Sequence, residues 1–77
     1  MNSTTEADLS RVTMMPGVRS GQPIIRGTRT AVADILGWLA TGTGESEILS
    51  DFPWLTPEDI KAALAYAAQE LREPNAR

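Results

Sequence analysis

Residues 52–72, FPWLTPEDIKAALAYAAQELR, decide the fold. Thr56 predicts a helix N-cap, Pro57 takes the first helical position, and Asp59 completes a capping-box-like spacing. Leu55 and Ile60 stand as a hydrophobic staple across that start. Ile60, Ala63, Leu64, Ala67 and Leu71 then fall on one apolar stripe that runs to about Arg72. Glu58 and Asp59 at one end and Arg72 at the other complement the helix dipole, and Pro74 ends the helix. Five alanines between Ala62 and Ala68 make the helix thin. A thin face is either core contact or a partner surface, and the sequence leaves both open.

Working upstream, Pro53 closes a second, short helix, because the residue before a proline is pushed out of helical geometry. Gly44 is its N-cap, Glu47 stands three positions on, and Ile48, Leu49 and Phe52 supply its apolar face. A first helix is predicted before it. Thr30 is expected as its cap, and Val32, Ile35, Leu36 and Leu39 form its stripe with Trp38 alongside. Gly42 sits where a left-handed residue ends a helix. Ahead of these, Val12 and Met14 alternate with Arg11 and Thr13 as a short strand. Turn signals follow at Pro16-Gly17 and Ser20-Gly21. Gln22-Pro23-Ile24-Ile25 is a second extended run, which Gly27 ends. The expected fold is mainly α: a short N-terminal β-hairpin or strand pair, then a three-helix bundle of helix-turn-helix type. Residues 1–9 are expected to be a disordered tail, 10–73 one domain, and 74–77 a flexible end.

Size limits what such a chain does. At 77 residues it is one domain at most, and a domain this small has a marginal core. With no cysteine it has no disulfide staple, so a dimer or a partner complex is expected. The N-terminus lacks the features of a signal peptide, and no apolar run is long enough to span a bilayer. A soluble, cytoplasmic protein is the expectation.

Enzymatic chemistry fails on inventory. There is no histidine and no cysteine. That leaves no Cys-His or Ser-His pair and no metal site of the usual ligand types. Gly42-Thr43-Gly44 lacks the lysine and the strand of a phosphate loop. Glu58 and Asp59 read as first-turn capping residues, and Glu45, Glu47 and Asp51 as a solvated helix face. A binding module without catalysis, cofactor or metal is expected.

Charge is unevenly placed. Residues 10–29 carry Arg11, Arg19, Arg26 and Arg29 with no acid, whereas residues 30–77 carry eight acids against three cations. Such asymmetry hints at partners. The bland reading is that these arginines are solvated or pair with the acidic body.

The segment from Pro16 to Ala68 resembles a bacterial family known as domain of unknown function 433. The matching residues include Pro16-Gly17-Val18 and the run Gly21-Gln22-Pro23-Ile24-Ile25-Arg26-Gly27-Thr28-Arg29. They continue with Phe52-Pro53, Leu55-Thr56-Pro57-Glu58-Asp59-Ile60 and Ala62-Ala63-Leu64-Ala65-Tyr66-Ala67. Ser20 stands where that family usually has glycine, Thr30-Ala31 replaces the usual Ile-Pro, and Gly44 replaces the usual serine cap. The resemblance implies a homeodomain-like helix-turn-helix antitoxin that silences a toxin of PIN-like ribonuclease fold. It also implies operator DNA as a second partner, bound as a homodimer.

The third helix would be the recognition helix by position, with Glu58, Asp59, Ala62, Ala65, Tyr66, Gln69 and Glu70 expected outward. Lys61 is its only cation before Arg72, a poor surface for phosphate. Arg11, Arg19, Arg26 and Arg29 are therefore the DNA candidates. For Arg29 a structural role is favoured, in a pair with an acid such as Asp34. Tyr66, Glu70 and Glu73 are the candidates for contact with a basic toxin cleft. A stand-alone DNA-binding regulator and a bare dimerisation module are the alternative readings.

Overall fold

The computed structural model describes residues 7–72. Its elements run in order as β1 (Val12–Thr13), β2 (Ile24–Ile25), α1 (Val32–Ala40), α2 (Glu45–Asp51) and α3 (Pro57–Arg72), with one-turn 3-10 segments at Leu9–Arg11 and Arg19–Gly21. The architecture is three helices on a two-stranded antiparallel sheet, mainly α as expected. Of the segment expected as a tail, residues 1–6 lie outside the described residues. Asp8 and Leu9 already belong to the first 3-10 turn, where the Asp8 carboxylate accepts the Ser10 N–H at 3.0 Å. The expected C-terminal end, residues 74–77, also lies outside the described residues. Among those described, no helix is long and apolar enough to cross a membrane.

The sheet is a strand pair joined by a long loop. Val12 pairs with Ile25 and Thr13 with Ile24. On its other edge β2 meets the chain again: Ile24 bridges Ala31, and Ile25 N–H bonds the Thr30 carbonyl at 2.9 Å. Both edges of β2 are thus satisfied, and Ile24 and Ile25 are buried. Gly27 turns this return at φ +84. The Thr28 hydroxyl closes it, donating to the Ile25 carbonyl at 2.8 Å and accepting the Thr30 N–H at 2.9 Å.

This return explains one departure from expectation. Thr30 does not cap α1, because it is still part of the extended return strand. The N-cap is Ala31, whose side chain offers no acceptor. Asp34 supplies the missing half by accepting the Ala31 N–H at 3.0 Å. At the other helix ends Gly42 is left-handed at φ +94, Gly44 caps α2, and α2 stops before Pro53, all as read from the sequence.

The core gathers Val12, Ile25, Val32, Ile35, Ile48, Leu55, Ile60, Ala62 and Ala63. Truncating a buried isoleucine costs about 2–5 kcal/mol, a large fraction of the roughly 5–15 kcal/mol that holds a small domain together. On α3 the buried face is Asp59, Ile60, Ala62 and Ala63, rotated from the expected stripe. Leu64 and Leu71 are 46% and 76% exposed. The expectation that Asp59 and Ala62 face outward is likewise corrected. Asp59 lies on the inward side with its carboxylate bonded to Arg11 and to the Thr56 N–H, and the buried alanines beside it allow a close approach.

Candidate functional site

The four arginines singled out by charge fall into two groups. Arg11 and Arg26 flank a small polar notch with Ser10 and Asp59. Arg11 Nη1 donates to Asp59 Oδ1 at 3.0 Å, and Arg26 Nε donates to the Ser10 carbonyl at 2.8 Å. Arg19 and Arg29 line the other group's site, a cleft of about 670 Å³.

Arg19 is the organising residue of that cleft. It lies in a left-handed stretch, with φ +49 at Arg19 and +60 at Ser20, a conformation costing on the order of 1 kcal/mol per residue when no glycine is present. The turn delivers its guanidinium to Asp34, with Nη1 2.7 Å from Oδ2 and Nη2 3.3 Å from Oδ1. The same Nη1 donates to the Arg29 carbonyl at 2.8 Å. This corrects the expected pairing: Asp34 is taken by Arg19, not by Arg29. The reason is geometric, since Arg29 contributes its carbonyl to this contact and its side chain is left at the surface. Arg29 is exposed and makes no ion pair among the described residues. The Arg19 hydrogen bond holds the Asp34 carboxyl below the ordinary aspartate range. The Ala31 N–H and the Arg19 charge add to this, and partial burial opposes it.

The facing wall of the cleft is aromatic. Trp38 and Phe52 stack with centroids 4.3 Å apart and planes 7° from parallel. Trp54 meets Phe52 edge-on at 5.6 Å. The Trp54 indole N–H donates to the Thr30 hydroxyl at 3.0 Å, yet the residue is 56% exposed. Met15, 49% exposed, also lines the cleft. Among the described residues no group of three or more His, Cys, Asp or Glu side chains is placed to hold a metal.

The residues expected to meet a protein partner lie elsewhere. Tyr66 is half-buried with its hydroxyl 4.0 Å from Met14 Sδ. It borders a shallow apolar groove between α1 and α3 that also includes Leu36, Ala67 and Glu70. Glu73 lies outside the described residues. Sequence reasoning passed over Trp54 and Met15, and read Thr30 as a helix cap and not as the partner of Trp54. The available signal was Trp54 itself, a tryptophan between the stop of α2 and the cap of α3 that belongs to no apolar stripe.

A family model and a solved structure point to one family. The model of the family described as "Protein of unknown function (DUF433)" matches residues 12–67. The uncharacterized protein y4eO of Sinorhizobium fredii is 38% identical over 56 residues, which is 73% of this chain and 25% of that protein. This chain therefore spans about a quarter of the length of that relative. The crystal structure of a DUF433 member protein from Anabaena variabilis has a TM-score of 0.76 and 36% identity, covering 79% of this chain and 60% of that one.

Proposed function

This chain belongs to the DUF433 family of proteins of unknown function, and we propose that it is a non-catalytic, cytoplasmic protein-binding module of antitoxin type. Its target is a toxin of PIN-like ribonuclease fold, the partner implied by the resemblance described above, silenced by direct contact. The observation that carries the protein-binding reading is the exchange between charge and apolar surface. Arg11 and Arg19 are spent on internal ion pairs with Asp59 and Asp34. Meanwhile Met14, Met15, Trp54 and Leu64 are each about half exposed. Scattered apolar residues are ordinary, but Met15 and Trp54 line one cleft together with Trp38 and Phe52, and a concave, mostly apolar site with a few polar groups supports a binding role.

The test is co-expression with the product of the adjacent reading frame. A complex that survives purification, with loss of RNA cleavage by that product, supports the reading. Free chain on purification and uninhibited RNA cleavage end it.

A second role is proposed on narrower ground. Arg26 and Arg29 are exposed, and a homodimer would present two of each. That supports autoregulation by binding operator DNA. The reading requires a gel shift on the chain's own promoter that weakens with salt and disappears with Arg26→Ala and Arg29→Ala together.

A further inference from the structure

We infer that the cleft between Met15 and Trp54 seats a short segment of a partner protein that presents one large apolar side chain next to a carboxylate. The apolar side chain lies on Trp54 and the carboxylate meets Arg29. The inference rests on the reading that the partner is a protein and adds where and how it docks.

Three features carry it. The aromatic wall is pre-ordered: Trp38 stacks on Phe52, Phe52 meets Trp54, and the Trp54 indole is tied to Thr30 at 3.0 Å. A large ring held in place and left exposed loses little freedom on binding, the character of residues that dominate interfaces. The cleft is also lined by Met15, an unbranched side chain that adapts to the shape of an apolar group.

Charge selects the second half of the occupant. The charged residues lining the cleft are Arg19, Arg29 and Asp34. Arg19 and Asp34 neutralise each other, so the site presents one unspent cation. Its backbone is pinned by the bond from Arg19 to the Arg29 carbonyl, delivered by the left-handed turn at Arg19 and Ser20. One surface cation on a pinned backbone, beside an aromatic wall, complements one carboxylate beside one apolar side chain. A nucleic-acid strand is gripped by several cations along its phosphates, and the lining of this cleft leaves one unspent, because Asp34 neutralises Arg19.

The experiment uses the full chain, displayed random heptapeptides and a ten-residue oligothymidylate as probes. Enrichment of peptides with Phe, Trp, Leu or Met beside Asp or Glu is expected. The exposed Arg29→Glu variant, checked for an unchanged melting temperature, should lose those peptides by about tenfold or more in affinity and favour Lys or Arg beside the apolar residue. Trp54→Ala should lose both sets. No enrichment, the same peptides selected by Arg29→Glu, or displacement of the selected peptides from the cleft by the oligothymidylate overturns the inference. If the co-expressed ribonuclease binds the wild type and both variants equally, the cleft is not the docking site although the protein-binding reading stands. If it binds none of them while the peptide selection succeeds, the reading of the ribonuclease as partner fails instead.

Discussion

Arg11 and Asp59 meet at 3.0 Å across 48 residues of sequence, and the second oxygen of that carboxylate takes the Thr56 N–H at 2.9 Å. One side chain thus starts α3 and fastens the N-terminal turn to it. The Asp59 side chain is 7% exposed and that of Arg11 37%, so the pair is half shielded. The reciprocal bond, Asp59 N–H to the Thr56 hydroxyl at 3.2 Å, makes the capping box complete.

Asp59→Ala removes both functions, and Asp59→Asn keeps an acceptor for the cap while removing the charge. The cap contributes about 1 kcal/mol, and the ion pair adds less than a fully buried one because Arg11 is partly in water. Asp59→Ala is expected to lose about 2–3 kcal/mol in urea unfolding, with Asp59→Asn in between. Equal losses for the two variants would show that the cap contributes nothing.

Asp34 sets the acid behaviour. Its folded carboxyl is more acidic than the unfolded one, chiefly through the Arg19 hydrogen bond. The unfolded state therefore binds the proton first, and stability from this group is fully present above the ordinary aspartate range. It is lost as pH falls through the lower, folded value. Asp8, lowered by its bonds to Ser10, has the same sign. Asp34→Asn should be less stable than the wild type at pH 7, and the gap should close below about pH 4. Some acid slope should persist through Asp8. A gap that stays constant down to pH 2 would remove Asp34 from the account.

The helices were legible because their signals are local. Thr56, Pro57, Asp59, Gly42 and Pro53 act within a turn of where they stand, and each ends or starts a helix as read. The face of α3 was legible only in part: Ile60 and Ala63 are buried as the stripe predicts, whereas Leu64 and Leu71 are exposed. Leu64 and Leu71 carry more apolar surface than Ala62, yet Ala62 is buried on the side of Asp59, whose ion-pair partner Arg11 stands 48 residues away. Thr30 failed as a cap for the same kind of reason, since its backbone is bonded to Ile25 and its hydroxyl to Trp54. Charge asymmetry located the arginines but not their partners. Whether Arg19 or Arg29 takes Asp34 depends on a left-handed turn at two non-glycine residues, which no propensity favours.

Gly44 offers a gain in stability. It caps α2 in extended geometry at φ −78 and ψ 161 with no side-chain bond, and a Cβ there meets nothing within 4 Å. Gly44→Ser adds an acceptor for the first turn, worth a few tenths of a kcal/mol over glycine. It also restricts the unfolded chain, worth about 0.4–1 kcal/mol. A rise in melting temperature of about 4–8 °C is expected. No change or a fall would mean that the serine hydroxyl does not reach the α2 N–H groups.

The alanines of α3 separate core from outer surface. Ala62 and Ala63 are fully buried, whereas Ala65 is half-buried and Ala68 exposed. Enlarging a packed position forces neighbours off their rotamers at about 1–3 kcal/mol, whereas an exposed change falls within roughly 0.5 kcal/mol. Ala63→Leu should therefore destabilise the chain, and Ala68→Leu should leave its unfolding midpoint unchanged. The pair also bears on partner choice. If Ala68→Leu keeps stability but weakens the complex with the ribonuclease, the thin outer side of α3 is part of the interface, because only contact with another molecule would sense an added isopropyl group there. If the complex is unaffected, the alanines serve the approach of α3 to α1, and partner contact belongs to the Trp54 cleft. Loss of stability at Ala68 equal to that at Ala63 would contradict the burial pattern itself.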